Sequence, residues 1–467
     1  MRYLICCVLT MCLLVSSTAF AAEPAPGPNN SLLTKTGEIL DPKHTALLIV
    51  DMQNDFAHQP GAEIVPNINR LITSARQNGV LVVFVGLVHS LTTDSPSYMA
   101  RYAKRGLDPK NLLVQEGTVK TDWVPGLLRP LPTEQVVYKY GYDAFQDTKL
   151  NALLRNRGIR SLVITGANTN LCVESTGFRA FAEGYYVTLP EDGVASYDRA
   201  VHRIALDNMR KYIADTTPSQ EIIELWNMIP NKIYQEQVFY PTRTVPPIPA
   251  RIGPVGGILV DLDKVVKPEH TALLVVDMQE DFVGLEGKTA RSGADIQSVQ
   301  KTIPVINSLI KSARENGVDV IFVRLEHSIV TDAPNYMARY SRRGLSPENL
   351  LVKSGTPGAD FVDGLLKPIA GERTVIKYGY DAFTNTDLQA LLKNRGIKSL
   401  VVTGVNTNLC VQATVLRGFA EGYYTVVPKD AVASTDAELH AYALNNFDRF
   451  FSLIPPAADV MKVWSTK

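Results

Sequence analysis

Three residue types able to do nucleophilic and acid-base chemistry recur in this chain at matching places: Asp51, Lys139 and Cys172, then Asp277, Lys377 and Cys410. Each cysteine lies in the same short stretch, Gly166-Ala167-Asn168-Thr169-Asn170-Leu171-Cys172-Val173 and Gly404-Val405-Asn406-Thr407-Asn408-Leu409-Cys410-Val411. That stretch follows a β-branched apolar run (162–165, 400–403) and leads into helical apolar spacing, which predicts a thiol where a buried strand hands over to a helix N-terminus. There the helix dipole and free N–H groups favour a thiolate and an oxyanion made from its target. A carboxylate to take the thiol proton and an ammonium to hold the thiolate would complete such a site. Singly, each residue has a plain structural role: a loop-capping aspartate, a solvated lysine, a buried and inert cysteine. Their joint recurrence at corresponding places points to chemistry.

The elements that must position them come in two copies. His44 to Gln53 recurs as His270 to Gln279, and Tyr-Met-Ala-Arg-Tyr at 98–102 recurs at 336–340. The offset is 226 residues at the aspartates (277 − 51) and 238 at the cysteines (410 − 172), so the second copy carries 12 more, placed after Phe282. A period this long is a duplicated domain rather than a solenoid unit. The proline-rich stretch 241–257 reads as a linker between domains at 22–240 and 258–467. Within a copy, apolar strand runs alternate with helical spacing: strands at 46–50, 81–85, 135–138, 161–165 and 186–189, with helices between them. This predicts an α/β fold, with two tandem domains that each carry a mostly parallel open sheet and helices on both faces. Ligands bind beyond the carboxyl ends of such strands, where Asp51, Lys139 and Cys172 all fall.

Lys plus Arg and Asp plus Glu are both 47, which argues against a nucleic-acid or anionic-membrane partner and leaves a small molecule as the expected one. Arg2, the apolar run 3–15 and the small residues Ala19 and Ala21 read as a signal peptide over 1–21, so export to the periplasm or beyond is expected, with no membrane attachment after cleavage. Cys6, Cys7 and Cys12 would leave with it. Cys172 and Cys410 would then be the remaining cysteines, expected as free thiols because each follows the central strand of its own sheet.

The segments 46–56 (Ala-Leu-Leu-Ile-Val-Asp-Met-Gln-Asn-Asp-Phe), Lys139 followed by Ala144-Phe145, and 166–176 (Gly-Ala-Asn-Thr-Asn-Leu-Cys-Val-Glu-Ser-Thr) resemble the isochorismatase-like cysteine hydrolases, and the resemblance spans both copies. It implies a three-layer α/β/α sandwich and an Asp-Lys-Cys triad acting on an amide, carbamoyl or ureido carbonyl through a thioester. It also implies an oxyanion cradle from the backbone N–H groups of Asn168 and Cys172, and of Asn406 and Cys410, with a cis peptide before the asparagine. Nicotinamidases of the family hold a metal through an Asp-x-His pair; here the stretch reads Leu87-Val88-His89, so no metal and no other cofactor is expected.

Around this core, Phe56, His89 and Arg101, with Phe282, His327 and Arg339 in the second copy, are candidate substrate-binding residues, the arginines as carboxylate grips. Each has a structural alternative, and His202 and His440 read as structural. The competing functions are hydrolysis of the isochorismate vinyl ether and a non-catalytic exported binding protein. The duplication is expected to build an intramolecular pair in place of a homodimer, with further homo-oligomerisation left open and with sites that differ in preference.

Overall fold

The computed structural model describes residues 32–56, 61–90, 93–106, 112–228, 257–342, 344, 346 and 349–466; the leader expected over 1–21 and all but Gly257 of the expected linker lie outside them. Helices of seven or more residues are labelled here. The first half runs β1 (Thr45–Val50), α1 (Ala62–Gln77), β2 (Leu81–Leu87), α2 (Pro96–Lys104), β3 (Gln135–Lys139), α3 (Leu150–Asn156), β4 (Ser161–Ala167) and α4 (Glu174–Ala182). It continues with β5 (Tyr186–Pro190), β6 (Val194–Ala195), α5 (Arg199–Tyr212), β7 (Ala214–Thr217) and α6 (Ser219–Met228). The second half repeats the order: β8 (Thr271–Val276), α7 (Thr302–Glu315), β9 (Asp319–Leu325), α8 (Pro334–Arg342), β10 (Arg373–Lys377), α9 (Leu388–Asn394), β11 (Ser399–Val405) and α10 (Gln412–Ala420). Then come β12 (Tyr424–Val426), β13 (Val432–Ala433), α11 (Ala437–Asn446), β14 (Ser452–Leu453) and α12 (Ala457–Ser465).

Each half is an α/β domain with its own sheet. The strand orders are β3-β2-β1-β4-β5-β7, with β6 beside β4, and β10-β9-β8-β11-β12-β14, with β13 beside β11. The ladders between these strands are parallel. Central strands β1, β4, β8 and β11 are buried at every residue, as continuous apolar runs between two helix layers must be. Edge strands β3 and β10 expose alternate residues instead. Helix α1 buries Ile64, Ile68, Leu71, Ile72 and Ala75 along one face and stops at Asn78 before Gly79, whose φ of 70° suits glycine. The 12 extra residues of the second half fall among three four-residue helices between Glu280 and Gln300.

The two halves pack against each other through one apolar cluster that takes residues from both. Tyr142 stacks on Phe419 at 5.9 Å and Phe181 on Tyr380 at 5.5 Å, each pair 13° from parallel. These two pairs are exchanged by the repeat, so the contact is close to twofold. Burial of each such ring contributes about 2–3 kcal/mol. Among the described residues no helix is long and apolar enough to cross a membrane.

Candidate active site

Asp51 closes β1 in the left-handed region, φ 53°, and Asp277 repeats this at 54°. Short polar side chains tolerate that conformation best, and it turns the carboxylate over the end of the sheet. Lys139 ends β3, two strands away, and its Nζ lies 2.9 Å from Asp51 Oδ2 while donating to Gly141 O at 2.8 Å. In the second half Lys377 Nζ is 2.9 Å from Asp277 Oδ2 and donates to Gly379 O at 2.9 Å. All four charged side chains are buried. Burial opposes the Lys139 ammonium, but Asp51 and Cys172 outweigh it and hold its pKa above the ordinary value.

The cysteine arrives from the other side of β1. Gly166, next to last in β4, has φ 117°, and a Cβ there would meet Val50 O at 2.0 Å; at Gly404, φ 110°, it would meet Val276 O at 1.9 Å. Only glycine lets β4 and β11 approach their neighbours this closely. The peptides Ala167-Asn168 and Val405-Asn406 are cis. Residues Thr169–Val173 then form a π-helical turn, with Leu171 N and Val173 N donating to Asn168 O at 3.0 and 3.2 Å. Thus Cys172 sits in a wide turn ahead of α4 rather than at the tip of a regular helix, a geometry common at functional sites. The thiol is pushed well up by burial and by the Asp51 charge, with Lys139 pulling the other way. Cys410 is raised for the same reasons, with Asp277 and Lys377 in those roles. Both cysteines are free and buried, as the sequence led us to expect.

A cavity of about 320 Å³ opens over Cys172. Phe56, His89, Tyr98, Tyr142 and Asn168 line it, and so do Arg449 and Phe450 from the second half. His89 is already committed: Nδ1 meets Asp94 at 3.1 Å, so Nε2 accepts from the Tyr98 hydroxyl at 2.8 Å. His327 makes the same chain with Asp332 and Tyr336, at 3.1 and 2.9 Å. Phe282 packs into the apolar clusters beside Val283 and Leu325.

Two candidates sit elsewhere. Arg101 does not line this cavity; it is buried against the second half, with Nη2 donating to Phe447 O at 3.5 Å, and burial lowers its pKa to about 10. Arg339 pairs with Asp215 of the first half at 2.7 Å, and Arg342 joins it. Both arginines brace the contact between halves. The residues that the sequence reading missed as neighbours of the cysteine turn are Tyr98, Arg105 and Arg449, together with Asn446 and Asn208. Asn170 and Asn446 exchange hydrogen bonds of 3.1 and 2.9 Å, and Asn408 and Asn208 exchange bonds of 2.9 and 3.0 Å. Each cysteine turn is thus tied to a helix of the opposite half. His202 and His440 hold Thr169 and Thr407 of the turns at 2.8 and 2.9 Å. Among the described residues no three His, Cys, Asp or Glu side chains gather as a metal site requires.

A family model described as an isochorismatase domain matches residues 45–221 and again 271–459. Ureidoacrylate amidohydrolase of Pseudomonas savastanoi pv. phaseolicola is 34% identical over 212 residues, covering 43% of this chain and 86% of that protein. The ureidoacrylate amidohydrolase of an Enterobacter strain is 33% identical over 204 residues, 41% of this chain and 88% of its own. Among solved structures, an isochorismatase family protein from Desulfovibrio vulgaris is 31% identical, covering 42% of this chain and 98% of its own, with a TM-score of 0.37.

Proposed function

The chain belongs to the isochorismatase domain family in each of its halves, and from that premise we propose that it is a hydrolase acting on C–N bonds other than peptide bonds, with two Asp-Lys-Cys sites cleaving a small amide, carbamoyl or ureido compound. The relatives named as ureidoacrylate amidohydrolases support the reaction class. The observation that carries the reading is the buried pair of Lys139 and Asp51 at 2.9 Å against the Cys172 thiol, repeated at 2.9 Å in the second half.

The chemistry follows from the protonated thiol. Asp51 accepts the proton as Cys172 attacks the carbonyl carbon, and the Lys139 ammonium stabilises the developing thiolate. The N–H groups of Asn168 and Cys172 receive the oxyanion. Collapse expels the amine or ammonia, which takes the proton from Asp51, leaving a thioester. Water then gives its proton to Asp51 and its hydroxyl to the carbonyl, and the thiolate leaves and is reprotonated. The net change is addition of water across the C–N bond. Export behind the 1–21 leader and the packed pair of halves as a substitute for a homodimer belong to the same proposal.

Ammonia release from a panel of amides, carbamoyl compounds and ureas tests it. Activity abolished by thiol alkylation supports the thioester route, whereas alkylated protein that still turns over contradicts it. Cleavage of a vinyl ether without ammonia release would instead assign the isochorismatase reaction.

A further inference from the structure

We infer that the first site is completed by the second half and selects ligands carrying a carboxylate, held by Arg105 and Arg449 around Phe450. This deepens the reading of Cys172 as the nucleophile and rests on it.

The two guanidinium groups are brought together by the contact between halves. After α11, Phe447–Phe451 forms a π-helical turn that docks on α2: Lys104 Nζ lies 3.3 Å from Asp448 Oδ1, and the Phe451 ring meets Tyr142 at 5.2 Å. Arg105 follows directly after α2. Its guanidinium carbon sits 5.0 Å from the Phe450 ring centre, and that of Arg449 sits 5.1 Å from it. Arg105, Arg449 and Phe450 line the same cavity as Cys172. An arginine stacked on a ring keeps its N–H edge available for a two-point bond to a planar anion. Among the described residues neither guanidinium has an ion-pair partner. Two cations over one thiol, in a cavity of about 320 Å³, suit a small ureido or carbamoyl acid.

The second half carries other residues at two of these three places. Lys211 and Tyr212 occupy the positions equivalent to Arg449 and Phe450, and there α5 continues as a regular helix. The Lys211 ammonium is already 3.0 Å from Asp436 Oδ2, besides lying 5.5 Å from the Tyr212 ring centre. Arg343, the sequence equivalent of Arg105, lies outside the described residues. A paired ammonium offers a weaker two-point grip on a carboxylate than a guanidinium stacked on a ring.

Iodoacetate and iodoacetamide, near-isosteric and differing in charge, probe this on the full chain without knowledge of the substrate. Rates at Cys172 and Cys410 are read separately by peptide mass spectrometry. The ratio of iodoacetate to iodoacetamide rates at Cys172 is expected to depend on Arg449, and the ratio at Cys410 is not. Arg449→Met should lower the Cys172 iodoacetate rate roughly tenfold, the scale of one charge-assisted contact, and leave iodoacetamide within about twofold. The iodoacetamide rate doubles as the check that the variant is folded. An Arg449→Met effect shared by both reagents, or an iodoacetate rate at Cys172 unchanged by it, would overturn the inference. A charge preference at Cys172 in a chain that releases ammonia from nothing in the panel would sink the hydrolase reading and leave the anion grip standing; ammonia release without that preference would do the reverse.

Discussion

Asp51 would have two opposed effects on Cys172: its charge raises the thiol pKa, and in the proposed mechanism it is the base that removes the proton. The two roles separate in a single variant. Asp51→Asn should increase the resting thiolate, read by its ultraviolet absorbance, while lowering turnover at that site by about a thousandfold or more. A variant that loses both thiolate and turnover would contradict the assignment of Asp51 as base. Lys139→Met has another signature, because it leaves a buried carboxylate without its partner: about 3–5 kcal/mol of stability should be lost, read by denaturant unfolding. The meeting of Asp51, Lys139 and Cys172 was legible in the sequence because identical residue types recur at identical places. Arg105 and Arg449 were not, since their meeting depends on how one half docks on the other. Arg101 drew attention through its repeated motif, and that motif serves the contact between halves.

The elements around the triad act mainly by close approach. A methyl group at Gly166 would overlap Val50 O, so Gly166→Ala should force β4 away from β1 and abolish turnover at Cys172 while Cys410 keeps its own, as measured in single-cysteine backgrounds. Full activity at Cys172 in that variant would show that the approach of the strands is dispensable. The Thr169–His202 bond braces the π-helical turn, and burial lowers the His202 pKa, which disfavours the charged ring. Thr169→Val is therefore expected to lower kcat at the first site by about tenfold with little change in KM, the pattern of a positioning residue. Unbroken apolar runs made the central strands readable, as in 46–50 and 161–165. The strands β6 and β7 were not readable: one has two residues, and the other, Ala-Asp-Thr-Thr, carries no apolar run. A strand-to-helix handover predicted a regular helix tip, and no spacing rule in the chain announced the wider turn found there.

At the scale of the whole molecule, the contact between halves carries a buried acid that its repeat lacks. Glu174 accepts from Tyr442 at 2.9 Å and Asn446 at 3.3 Å across the contact, and Gln412 holds the equivalent place. Burial raises the Glu174 pKa from 4.5 to about 8, against the pull of Tyr442, Gln412 and Asn208. The unfolded chain releases this proton near 4.5 while the native state keeps it to about 8, so the native state binds more protons across that window. Stability should therefore fall as pH rises from about 4.5 to about 8. Glu174→Gln should remove the fall, leaving wild type and variant alike at pH 5 and the variant more stable by about 2–4 kcal/mol at pH 8. A difference between them that does not depend on pH would show Glu174 to be ionised in the native protein. The duplication was plain from the sequence, whereas this unequal acid took on meaning only once the halves were seen in contact. The central claim, covalent catalysis at two cysteines, is tested most directly by rapid acid quench during turnover followed by peptide mass spectrometry. The account predicts an acyl or carbamoyl adduct on both Cys172 and Cys410 and no turnover in the Cys172→Ala, Cys410→Ala double variant; undiminished hydrolysis by that double variant would contradict it.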